Sequence, residues 1–123
     1  MTTHKTILIA EPEKALSTGL RPFLEDNDFH QIHVTTLKDT LLTIQSQRIH
    51  VLLLDAALLH EDCGFISIIK GMEEDLPIII CAETNTPEFE SKVRKERIFF
   101  YHIKSFGLQD LEMAVSNAVR IRS

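Results

Sequence analysis

Four short segments are apolar at nearly every position, with no wet face: Thr6–Ala10, Ile49–Leu54, Pro77–Ala82 and Ile98–Ile103. Successive side chains of a strand point to opposite sides, so runs this short and this apolar read as strands buried on both faces. Crossover helices between parallel strands supply cover on both sides at once. A more polar run, His30–Thr35, reads as an edge strand. Between the runs, apolar residues recur at helical spacing. Leu16, Leu20, Phe23 and Leu24 mark a first helix, which Pro22 is expected to kink or shorten. Leu37, Leu41 and Ile44 mark a second; Phe65, Ile68, Ile69 and Met72 mark a third, beginning just after Gly64. Phe89 and Val93 give a thin fourth stripe, and Leu108, Leu111, Val115, Ala118 and Val119 a fifth. The fold predicted is α/β, a doubly wound five-stranded parallel sheet.

With 123 residues the chain has the size of one domain, spanning 1–123. Its 44% hydrophobic and 25% charged residues are those of a globular protein, which sets disorder aside. A net charge of -5 supplies no field toward nucleic acid or anionic lipid, so direct binding to either is not expected. Two cysteines, Cys63 and Cys81, suggest reduced thiols rather than a disulfide framework. No apolar run approaches the roughly 18 residues of a membrane span, and no signal-peptide stretch follows Met1, so a cytoplasmic location is expected.

In an open parallel sheet, ligands bind beyond the carboxyl ends of the strands, where the winding direction reverses. The residues there are Glu11, Pro12 and Glu13 after the first strand, and Asp55 after the third. Ala82, Glu83 and Thr84 follow the fourth, and Lys104 the fifth. Carboxylates converging with one lysine suit a site that accepts a phosphoryl group or holds a hard cation. An anionic nucleophile repels an anionic donor, so fixed positive charge must offset the charge that builds. Asp55 is the candidate nucleophile and Lys104 the fixed cation. Asp55 could equally be a turn former or helix cap, with Lys104 only balancing its charge.

The chain resembles the receiver domain of two-component response regulators. The resemblance rests on Ile7–Glu11, Val51–Asp55, Leu76–Ile80 and Tyr101–Phe106, and extends over nearly the whole sequence. It implies a flavodoxin-like three-layer sandwich of strand order 2-1-3-4-5. It also implies that Asp55 is the phosphoacceptor, Lys104 the charge-neutralising lysine, and Ala82 and Tyr101 the switch positions. The family's adjacent pair of acids reads Glu11-Pro12 here, with Glu13 beyond it, so one cation ligand is missing. A residual Mg²⁺ site from Glu11, Asp55 and the carbonyl of Ala57 is expected to be weak or absent. Ala82 stands where a hydroxyl normally follows the phosphoryl group, and Thr84 is about 6–7 Å further along an extended chain. Glu83 replaces a small residue and opposes an incoming phosphate. Ser105 replaces the proline after the lysine, which puts the family's cis peptide there in doubt. The segment after Asp55 is one residue longer than usual.

The function implied is phosphorelay signalling by an atypical receiver, with impaired Mg²⁺-dependent phosphorylation. The implied partners are a histidine kinase or phosphotransfer protein, with a second copy or an output domain on the face of the fourth helix, fifth strand and fifth helix. The alternative is a phosphorylation-independent interaction scaffold on the same fold. A nucleotide- or flavin-binding protein fits least, because Glu11-Pro12-Glu13 repels phosphate where such a protein needs amide donors. No hydrolase elbow or glycine-rich phosphate cradle is present, so an enzyme is not expected. His30 and His33 are assigned to opposite faces of a strand, against zinc. The cluster His60-Glu61-Asp62 and the run Lys92–Arg97 read most simply as solvated surface.

Overall fold

A computed structural model of the protein describes residues 4–60, 62–84 and 86–122. Five strands, β1 (Thr6–Ala10), β2 (His30–Val34), β3 (Val51–Asp55), β4 (Ile78–Ala82) and β5 (Phe100–Ile103), form one parallel sheet of order β2-β1-β3-β4-β5. Between and after them run α1 (Ala15–Asp26), α2 (Leu37–Ser46), α3 (Gly64–Met72), α4 (Pro87–Arg94) and α5 (Gln109–Arg122). Short 3₁₀ turns at Ala56–Leu59 and Lys104–Phe106 follow β3 and β5. The predicted fold class and strand order are those observed. None of the described helices is long and apolar enough to cross a membrane.

The alternation of strand side chains divides the interior in two. Leu8, Leu52, Leu54, Ile78, Ile80 and Tyr101 pack with α2, α3 and α4. Ile7, Ile9, Val51, Leu53, Ile79 and Cys81 pack with α1 and α5 on the other face. Each leucine of β3 is fully buried and contributes about 1.5–3 kcal/mol of transfer free energy. β2 keeps partly exposed side chains along its length, as an edge strand does.

One helix expectation is narrowed and another needs correction. Pro22 does not shorten α1, which continues one turn beyond it to Asp26. Pro22 and Thr18, whose carbonyl loses its i+4 amide donor there, both lie on the exposed side, open to solvent. In α3 the fully buried side chains are Ile66 and Ile69, whereas Ile68 is 53% exposed and Phe65 and Met72 are only partly covered. The helix is apolar at most positions, so spacing alone does not say which stripe turns inward.

The chain reverses its winding between β1 and β3, so the carboxyl ends of these two strands open a crevice. Asp55 continues the alternation of Val51 and Leu53 and points to the α1/α5 side, as Lys104 does after His102. Ala82 and Tyr101 belong to the α2/α3/α4 side.

Candidate functional site

Asp55 ends β3 and is 5% exposed. Its Oδ1 accepts a hydrogen bond from the Ala57 amide at 2.9 Å, capping the 3₁₀ turn, and its Oδ2 accepts from Lys104 Nζ at 2.6 Å. The cap and the ion pair therefore coexist on one carboxylate. Lys104 also donates to Glu83 Oε1 at 3.3 Å. Burial by itself lowers the Lys104 pKa, but the hydrogen bond and charge of Asp55, joined by those of Glu83, hold it above the ordinary lysine value.

Glu11 is 1% exposed and committed to α1. Its Oε2 and Oε1 accept from the amides of Leu16 and Ser17, each at 3.0 Å, so a carboxylate sits on the positive end of that helix. Lys14, at the cap position itself, makes no side-chain cap bond. His33 approaches from β2: its Nε2 donates to the carbonyl of Glu13 at 2.7 Å and lies 3.6 Å from Glu11 Oε1. The sequence reading missed this role; the signal was the register that sets His33 beside Ile9, next to the acidic loop.

Glu11, Glu13, Asp55, Ala57, Glu83 and Lys104 line a single cavity of about 160 Å³. The acids, the Ala57 backbone and the lysine expected for the site are thus brought together. Both oxygens of Glu11 face backbone amides, Asp55 faces an ammonium, and no set of three or more His, Cys, Asp or Glu side chains able to hold a metal occurs among the described residues.

Across the end of β4, a second cavity of about 230 Å³ is lined by Asp55, Ala56, Ala57, Ala82, Glu83, Thr84, Thr86, Phe89 and Tyr101. Tyr101 is turned inward, only 6% exposed, with its ring 6.5 Å from that of Phe89 and the Arg94 guanidinium 5.8 Å from its centroid. Burial, then the nearby Glu90, pushes its pKa up, and its hydroxyl has no hydrogen-bond partner among the described residues. Thr84 is exposed. No cis peptide occurs among the described residues, the Lys104–Ser105 bond included. In the loop after the first 3₁₀ turn, His60 is exposed and left-handed (φ 48°), while Glu61 lies outside the described residues.

The acid–lysine pair thus sits beyond the carboxyl ends of a doubly wound parallel sheet of order 2-1-3-4-5. Among solved structures, the chain is similar to a response regulator from Thermotoga maritima, at 15% identity over 96% of this chain and 99% of that one, with a TM-score of 0.85. It is similar to a CheY-like response regulator receiver domain protein from Methanospirillum hungatei JF-1 (16% identity, 98% and 97% covered, TM-score 0.84). It is also similar to the beryllofluoride-activated NtrC4 receiver domain, solved as a dimer (21% identity, 96% and 98% covered, TM-score 0.85). No protein-family model and no curated protein matches the sequence. At these identities the likeness is one of fold: the chain has the fold of response regulator receiver domains.

Proposed function

We propose that the protein is a receiver-type signalling module in which Asp55 accepts a phosphoryl group from a histidine kinase or phosphotransfer protein. The observation that carries this reading is the 2.6 Å contact between Asp55 and Lys104 beyond the carboxyl ends of β3 and β5. One Asp55 oxygen attacks phosphorus, the bond from phosphorus to the donor's imidazole nitrogen breaks, and that nitrogen leaves with the bonding pair. Lys104 is placed to neutralise charge on the transferred group. Ala82 gives that group no hydroxyl and Glu83 opposes it, so uptake is slow compared with a receiver carrying the full acidic and hydroxyl set. Partner contact is assigned to the face of α4, β5 and α5, where the exposed Arg94 of α4 lies against Tyr101 of β5.

A second reading, a phosphorylation-independent scaffold on the same fold, is favoured by one observation: β4 ends in Ala82, whose methyl offers a phosphoryl group on Asp55 no hydrogen bond. Incubation with acetyl phosphate and Mg²⁺, followed by intact mass, separates the two. Slow addition of one phosphoryl group to the wild type, abolished in Asp55→Asn, is the expected result. No addition to the wild type, or addition that persists in Asp55→Asn, removes the acceptor reading; rapid stoichiometric addition removes the impairment.

A further inference from the structure

Lys104 does not serve Asp55 alone. Its ammonium has three N–H donors; one goes to Asp55 and a second to Glu83, which follows β4 by one residue and lines both cavities that meet at Asp55. The two carboxylates differ in freedom. Asp55 is buried and tied to the Ala57 amide, whereas the Glu83 side chain is 80% exposed and makes its one ion pair, among the described residues, with Lys104. An exposed pair of this kind is weak and opens readily, yet its charge stays within the reach of the site.

Around the 160 Å³ cavity the nearby charges are the carboxylates of Glu11, Glu13, Asp55 and Glu83 against a single lysine. Of the acids, Glu83 is the one that touches the lysine besides Asp55. A phosphoryl oxygen arriving at Asp55 requires the same ammonium.

We propose that Glu83 is an internal anion that competes with an external phosphoryl group for Lys104, so that anion uptake requires Glu83 to swing outward. This rests on the reading of Asp55 and Lys104 as an anion-accepting site, and it makes Glu83 a gating residue on that site. It is a movable gate, since nothing but Lys104 holds the carboxylate among the described residues. Gating of this kind predicts that charge, rather than bulk, is what slows uptake.

The test compares wild type with Glu83→Gln and Glu83→Ala, both altered at an exposed position outside the core. With acetyl phosphate and Mg²⁺, intact-mass time courses are expected to run about fivefold or more faster in both variants than in wild type, from removal of one unit charge a few ångströms away. Added Asp55→Asn is expected to abolish the signal in each. Equal or slower uptake in the variants overturns the proposal and leaves the acceptor reading intact, as does acceleration in Glu83→Ala alone. If no protein takes up phosphoryl, the acceptor reading fails and inorganic phosphate decides the remainder. Titration followed by the NMR signals of Lys104 is then expected to give tighter binding to Glu83→Gln than to wild type. Equal binding, or none to either, overturns it.

Discussion

Glu11 is a carboxylate at a strand end whose chemistry is directed to the backbone. Two amide bonds from the first turn of α1 converge on it at 3.0 Å in a site that is 1% exposed. Glu11→Ala leaves two buried donors unpaired and is expected to cost about 2 kcal/mol in urea denaturation, with Glu11→Gln costing less because an amide oxygen still accepts. This role was not legible in the sequence: an acid after an apolar strand reads as a ligand, and the first helix amide that claims it, that of Leu16, lies five residues on. Asp55 and Lys104 were legible because each closes an apolar run whose partner strands the winding order fixes. Tyr101 offers a check at the same scale, since the chain has one tyrosine and no tryptophan. Its fluorescence is expected to resist acrylamide quenching in the wild type, and Phe89→Ala, which removes the neighbouring ring, is expected to make it several times more accessible.

Among the elements, α4 is held more lightly than α5, which buries five residues. It has eight residues and buries only Phe89 and Val93, while Pro87 at its start, early Glu88 and Glu90 and late Lys92 and Arg94 suit its dipole. Amides of α4 are expected to exchange with solvent well before those of β3 and α5 in native-state hydrogen exchange, because little apolar area opposes local opening. The strands were the most legible elements, each within two residues of its apolar run. β3 starts at Val51 rather than Ile49; just before it, His50 Nδ1 accepts the Thr6 amide at 3.0 Å and the His50 amide donates to the Thr6 carbonyl at 2.9 Å. Helix faces were less legible where composition is uniform: an isoleucine-rich α3 offers several inward stripes, and only tertiary contact selects Ile66 with Ile69.

For the molecule as a whole, His50 sets part of the response to acid. Burial, then the charges of Lys5, Arg48 and Arg122, lowers its pKa from 6.5. The unfolded chain therefore takes a proton near 6.5 that the folded chain refuses, and stability falls as pH drops from there through the folded value. Denaturation midpoints between pH 7 and 5 are expected to decline less in His50→Asn than in wild type. Lys104 acts in the opposite sense: its pKa is raised above 10.5, so its contribution is complete below that value and disappears as pH climbs through the folded one. The sheet also partitions the protein. Leu53 and Leu54 are joined by a peptide bond, yet one packs with α1 and α5 and the other with α2, α3 and α4. Chain neighbours on β3 thus inhabit separate compartments. Truncating either to alanine hollows its own chamber only, and the double variant loses close to the arithmetic total of two independent defects.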